Sequence, residues 1–311
     1  MYIETIPLWE DRKDVTLTTF LSQDDPFIAE KFPKKRPAVI VCPGGGYRRC
    51  PRHDNEGDPV AMAFAIDGYQ TFVLEYSVAD FAPIEKTLFP AQLRDLGKAM
   101  LTVRDHAQEW GIDTEKISVI GFSAGGHLCG MLATSWHRPV LSEYFHRDPE
   151  EFKPLTAMLI YPVADYVEQE KFRKSRPDLR DNFDMNTHVF GKADPDLEAQ
   201  KENSPAWLVS EYTVPVFIAA AQNDGLVTAK NSLSLALRLQ EQGIPYELHM
   251  FELGDHGFGL GNNIYEPYRQ DRAHASRAWL PLAKTFLLHH IAPETAEDEK
   301  NPFEDPENFL K

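Results

Sequence analysis

Cysteine is scarce in this 311-residue chain: Cys42, Cys50 and Cys129 are the full set, odd in number and without CxxC spacing. That pattern excludes a disulfide frame and a cysteine-based zinc site, and predicts reduced thiols used for packing. Long apolar runs are missing as well, and no stretch reaches the roughly 18 residues that a bilayer-spanning helix requires. Basic residues are outnumbered, with 32 Lys and Arg against 48 Asp and Glu and a formal net charge of -16. A nucleic-acid binder needs a Lys/Arg stripe to neutralise phosphates, so nucleic acid and membrane both drop out as expected partners. Met1 to Arg12 carry Glu4, Glu10 and Asp11 and lack the basic start and apolar run of a secretory signal, which reads as a cytoplasmic protein.

What is present is the composition of a large packed core, 42% hydrophobic and 26% charged. No linker separates two cores, so residues 1–292 are expected to form one domain, followed by an acidic tail over 293–311 in which Glu294, Glu297, Asp298 and Glu299 begin a solvated run. Near-continuous apolar runs at Ala38 to Cys42, Thr71 to Leu74, Ile117 to Ile120, Ala157 to Tyr161 and Val216 to Ala220 read as strands covered on both faces. Helical stretches at Pro59 to Ile66, Pro90 to Trp110, Ala124 to Thr134, Thr228 to Gln242 and Gln270 to His290 alternate with them. Asp58 before Pro59 reads as a helix cap, and Gly68 and Gly243 as helix stops. The predicted architecture is α/β, a mostly parallel central sheet with helices on both faces. Residues 164–210 interrupt the alternation, so they are expected to form a cap-like insertion.

The chemistry concentrates where the strand Ile117 to Ile120 runs into Gly121-Phe122-Ser123-Ala124-Gly125-Gly126-His127 and then a helix. G-x-S-x-G between strand and helix is a nucleophile elbow: the sharp turn exposes the serine, and the two glycines let the backbone pass. A serine hydroxyl needs an adjacent base that is held in one tautomer by a carboxylate. Asp224 follows the Val216 strand and His256 follows the Tyr246 to Phe251 strand, each in a glycine-containing loop. Ser123 as nucleophile, Asp224 as orienting acid and His256 as base therefore fall in the chain order this arrangement requires. Asp255 and Glu252 compete for the acid's role, but Asp255 adjoins the base and is expected to point elsewhere. His127 lies inside the elbow helix and reads as packing, or as support for the site.

Pro43-Gly44-Gly45-Gly46-Tyr47 ends the Ala38 strand, where backbone amides can approach an acyl oxygen; no Lys-Ser/Thr follows, so the loop is not a phosphate cradle. Gly45, Gly46 and Ala124 are the expected oxyanion donors, and Tyr47 and Arg48 the expected substrate-binding groups that close the acyl side. Tyr166, Phe172, Phe183, Phe190 and Trp207 in the insertion would serve a polar acceptor. Arg48-Arg49-Cys50-Pro51-Arg52 reads as a solvated loop.

Together with Asn55-Glu56-Gly57-Asp58-Pro59, Phe72 to Tyr76, Trp110-Gly111-Ile112-Asp113 and Gly254 to Phe258, these motifs resemble the α/β-hydrolase esterases that include acetyl esterases and acetylxylan-esterase-like enzymes, near the hormone-sensitive-lipase and prolyl-oligopeptidase groups. The resemblance implies the α/β-hydrolase fold, the Ser123, Asp224, His256 triad, no metal and no cofactor, and a small ester as partner, such as an acetylated sugar or xylo-oligosaccharide. It departs from lipase-like relatives in having Pro43 where they carry histidine before the glycines. Homo-oligomer formation stays open. The rival readings are a peptidase of the prolyl-oligopeptidase type, which this chain is too short to supply with a propeller, and a non-catalytic binding protein on the same scaffold.

Overall fold

The computed structural model describes residues 1–23, 35–176, 178, 185–261 and 275–291. Its centre is one eight-stranded sheet: β1 (Tyr2–Pro7), β2 (Thr16–Leu21), β3 (Arg36–Cys42), β4 (Gln70–Glu75), β5 (Ile112–Phe122), β6 (Ala157–Ile160), β7 (Val216–Ala221) and β8 (Tyr246–Phe251). The spatial order is β1-β2-β4-β3-β5-β6-β7-β8. β1 pairs antiparallel with β2, and β2 with β4. From β4 to β8 every pairing is parallel.

Strand burial follows position. β3, β6 and β7 lie inside the sheet and are buried almost throughout, whereas the edge strand β1 is mostly exposed and the edge strand β8 half-buried. Alternate residues divide between two cores: Ile40, Val119, Leu159 and Ile218 face one, and Val39, Ile120, Met158 and Phe217 the other. Burial on both faces explains why the inner strands read as unbroken apolar runs.

The helices are α1 (Asp58–Ala65), α2 (Ala91–Asp105), α3 (Ala107–Trp110), α4 (Ala124–Ser135), α5 (Pro139–Phe145), α6 (Tyr166–Ser175), α7 (Met185–Phe190), α8 (Leu197–Glu202), α9 (Pro205–Leu208), α10 (Lys230–Gln242) and α11 (Trp279–Ile291). On one face of the sheet α1 supplies Val60 and Phe64, and α11 supplies Trp279, Phe286 and Leu287. On the other face α2, α4 and α10 supply Leu96, Leu128 and Leu239. Every residue of α4 is buried, so the helix that carries the elbow is fixed by packing on all sides.

Several boundaries differ from expectation. Asp58 does not cap α1: its amide donates to the Arg52 carbonyl (2.8 Å), Gly57 is the capping residue, and the Asp58 carboxylate lies 3.2 Å from Arg52 Nε. The helix expected over Pro90 to Trp110 breaks at His106, which leaves helical geometry with ψ 9 and separates α2 from α3. Gly243 does end α10, at φ +68, in the left-handed region that costs glycine least. The insertion folds as α6 to α9; α6 and α7 share a small cavity of about 30 Å³ with the loop after β7. Phe183, the start of the Gln270 to His290 helix and the acidic tail lie outside the described residues.

Candidate active site

β5 ends at Phe122, and the chain turns at once into α4 with Ser123 between them. Ser123 has φ 52 and ψ -113, a conformation that a non-glycine residue holds only where its surroundings impose it. The surroundings do so by backbone crowding. A Cβ on Gly121 would sit 2.0 Å from the Gly125 carbonyl oxygen, and one on Gly125 would sit 2.0 Å from the Cys42 carbonyl oxygen. The elbow thus packs backbone to backbone against itself and against the end of β3, which only these glycines permit. The Ser123 amide donates to the Ile160 carbonyl (3.0 Å), and its carbonyl accepts from the His127 amide (2.9 Å).

The turn presents Ser123 Oγ 2.9 Å from His256 Nε2, and His256 Nδ1 lies 2.7 Å from Asp224 Oδ2. The other Asp224 oxygen accepts from the amides of Leu226 (2.9 Å) and Val227 (2.8 Å), so the carboxylate is clamped by its own loop. With Nδ1–H committed to Asp224, Nε2 is the nitrogen left to accept the serine proton. Asp224 is 7% exposed and Ser123 6% exposed, so the relay is shielded while the hydroxyl stays reachable. Asp255 does not face the imidazole ring: its Oδ1 lies on the amides of its neighbour His256 (2.9 Å) and of Gly225 (3.5 Å). Glu252 is exposed. Asn223 ties the two loops together, its Oδ1 accepting from the amides of Gly254 and Asp255, both at 3.0 Å.

The glycine loop lies against the elbow, where a Cβ on Gly44 would come within 3.1 Å of Ser123 Cβ. The Gly44 amide donates to Glu56 Oε2 at 2.7 Å. The amides of Gly45, Gly46 and Ala124 find no acceptor among the described residues. Ala124 is the first residue of the 12-residue α4, so its amide also carries the positive end of that helix.

Two expected substrate groups are placed elsewhere. Tyr47 is fully buried, its hydroxyl 2.6 Å from His127 Nδ1, because a left-handed φ of 58 turns the chain and drives the ring into the core. It has no surface to offer a substrate. Arg48 points to solvent and pairs with Asp80 at 3.2 Å. The basic segment is not wholly solvated either: Arg52 reaches Thr5 and Thr18 and anchors the loop to β1 and β2. Within the insertion, the Trp207 ring lies between Lys201 (4.8 Å) and Arg238 (4.6 Å) and its Nε1 donates to Asp165 (3.2 Å). Phe190 packs on the buried Tyr166 at 5.0 Å. Trp207 thereby ties the insertion to α10, and Tyr166 ties it to α4 through the His127 ring at 5.2 Å.

Sequence reasoning gives Glu56 no such role, whereas His127 is expected to pack or to support the site. Glu56 accepts from the Tyr161 hydroxyl at 2.6 Å, and the Tyr161 ring meets the His256 ring at 5.1 Å. Burial raises the Glu56 pKa above the usual carboxylate range, while hydrogen bonds from Tyr161 and Gly44 and the nearby His256 oppose the rise. His127 joins three elements. Its Nε2 lies 2.8 Å from the Asn203 carbonyl, which can only accept, so Nε2 carries the proton and Nδ1 accepts from Tyr47. Burial pushes its pKa down to about 4, with the Asn203 carbonyl opposing.

Sheet order, elbow and strand-end loops together define an α/β-hydrolase fold. The BD-FAE family pattern matches residues 25–239, and the chain belongs to that family. It is 31% identical over 239 residues to endo-1,4-beta-xylanase B of Butyrivibrio fibrisolvens, covering 74% of this chain and 34% of the relative. It is 29% identical over 225 residues to an acetylxylan esterase of Xylanibacter ruminicola, covering 72% of this chain and 41% of the relative. The chain thus spans well under half the length of either curated relative. Among solved structures, the acetyl ester-xyloside bifunctional hydrolase of Caldicellulosiruptor lactoaceticus superposes with TM-score 0.69 at 28% identity, over 92% of this chain and 96% of that one.

Proposed function

We propose that the protein is a serine carboxylic-ester hydrolase that removes acetyl groups from small acetylated compounds, among them acetylated sugars and xylo-oligosaccharides. The observation that carries this reading is the unbroken line from Ser123 Oγ through His256 to the clamped Asp224, beside three amides with no acceptor among the described residues. In this reading His256 Nε2 takes the Ser123 proton as Oγ attacks the ester carbonyl, and the amides of Gly45, Gly46 and Ala124 receive the negative charge that develops on the carbonyl oxygen. His256 then protonates the leaving alcohol, giving an acetyl-Ser123, and activates the water that releases acetate.

A small cavity of mixed polarity, lined by Val163, Tyr166, Gln169, Arg173, Met185, Asn186, Leu226 and Val227, lies near the triad. Two of its walls reach the triad's backbone, the Val163 amide lying 3.4 Å from the Ser123 carbonyl and the Val227 amide holding Asp224, which favours a confined acyl side. The relatives' names point the same way, one being an acetylxylan esterase and another an acetyl ester-xyloside hydrolase. The test is a hydrolysis screen of acetylated xylo-oligosaccharides, aryl acetates and peptide amides. Turnover of the acetylated sugars and aryl acetates is expected; peptide amides as the preferred substrates would overturn the reading.

A further inference from the structure

We propose that Glu56 is a positioning residue for the reaction at Ser123, whose carboxylate selects which glycine-loop amides face the substrate and steadies the His256 imidazolium through Tyr161. The inference rests on the proposed serine-esterase reading.

Glu56 stands in the loop just before α1, and although the residue keeps some exposed surface its two oxygens both point to inward partners. Oε2 accepts from the Gly44 amide at 2.7 Å, and Oε1 from the Tyr161 hydroxyl at 2.6 Å. The same hydroxyl accepts from the Gly259 amide at 3.0 Å, which commits its own proton to Glu56. Both carboxylate oxygens are thus acceptors, as an ionised group requires. One side chain ties the glycine loop after β3 to the residue after β6 and to the loop that carries His256.

Two consequences follow for the chemistry. Gly44 packs against Ser123, yet its amide is engaged by Glu56, so Gly45 and Gly46 are left as donors and the loop is held against rotating to exchange them. Tyr161, with φ 39 and its hydroxyl bonded to Glu56, sets its ring against His256 at 5.1 Å and against Phe258 at 4.5 Å, and so limits where the imidazole can swing. When His256 takes the serine proton it becomes a cation, and the Glu56 charge adds to that of Asp224 in favouring it. The titratable groups around Glu56 and His256 among the described residues include Asp224 after β7, Tyr161 after β6, Asp54 on the loop of Glu56, Cys50 in the segment before it and Tyr76 after β4.

The experiment measures kcat, KM and the pH profile of aryl-acetate hydrolysis for the full chain and for Glu56→Gln, Tyr161→Phe and Ser123→Ala. Glu56→Gln keeps the shape and removes the charge. Its kcat is expected to fall about 10- to 100-fold with KM changed less than about threefold, because the loss falls on the transition state. The acid limb of its kcat/KM profile is expected to move down by about half a pH unit or more, since the imidazolium loses a negative neighbour. Tyr161→Phe should move the limb in the same direction by less. A folded Glu56→Gln with wild-type kcat and limb, or with reduced kcat and an unmoved limb, overturns the proposal while an inactive Ser123→Ala leaves the esterase reading standing. Activity retained in Ser123→Ala removes that reading and this proposal with it. Should Glu56→Gln fail to fold, Tyr161→Phe decides, and an unmoved limb there overturns the proposal.

Discussion

His127 gives the sharpest thermodynamic prediction. It is fully buried on the elbow helix, bridged to the Tyr47 hydroxyl and the Asn203 carbonyl, and burial lowers its pKa to about 4. In the unfolded chain the imidazole has its ordinary pKa of about 6.5. Below that value the unfolded state binds a proton that the folded state refuses, so stability falls as pH drops from about 6.5 to about 4 and levels off below. At 1.36 kcal/mol per pH unit the loss is about 2 kcal/mol at pH 5 and about 3 kcal/mol at pH 4. Glu56 and Asp95 act in the opposite sense: burial raises their pKa values, so they favour the folded state at low pH and lose that advantage as pH rises. The whole-protein curve therefore mixes signs. The difference between wild type and His127→Gln isolates the histidine. Urea unfolding of both proteins at constant ionic strength, from pH 7.5 to 4, should show the wild-type advantage shrinking by about 2 kcal/mol between pH 7 and pH 5. Parallel curves over that range would refute the argument, since they would mean that His127 titrates alike in both states.

Asp224→Asn should lower kcat by about three to four orders of magnitude by misorienting His256, while Asp255→Asn changes it by less than about tenfold; steady-state kinetics on an aryl acetate with the reverse ranking would reassign the acid. Gly125→Ala should lose about 3 kcal/mol or more, because its Cβ would sit 2.0 Å from the Cys42 carbonyl oxygen, and thermal unfolding close to wild type would contradict that packing. In an aryl-ester series from acetate to octanoate, kcat/KM should fall with chain length by about 1 to 3 kcal/mol per methylene beyond acetyl. A maximum at hexanoate or longer would refute the preference for acetyl.

Local sequence showed the elbow because strand, glycines and helix are adjacent in the chain, and it showed Asp224 and His256 because each follows an apolar run by a few residues. The mostly parallel sheet was legible in the same way, through alternation of runs and helices, whereas the strand order, with β4 between β2 and β3, was not. What stayed hidden depends on contacts distant in sequence. Tyr47 reads as a loop aromatic free to meet a substrate, and only its positive φ turns it inward onto His127, 80 residues away. Glu56 reads as one acid among many before a helix, and its partner Tyr161 lies 105 residues on. Its place directly before α1 and after the glycine loop was the available signal, since a carboxylate there is within reach of the loop's amides. The insertion's aromatics were visible as residues but not as anchors, because Trp207 is held by Lys201 and Arg238 from different helices.

If Ser123 is the nucleophile it becomes acylated during turnover, and covalent labelling reports on that serine. Wild-type protein is treated with a fluorophosphonate, which reacts with activated serine nucleophiles, and the modified peptide is located by mass spectrometry beside Ser123→Ala and His256→Ala controls. One label on Ser123 is expected, slowed while an excess acetate ester is being turned over, absent in Ser123→Ala and strongly slowed in His256→Ala. A label on another serine, or full ester turnover by Ser123→Ala, would contradict it.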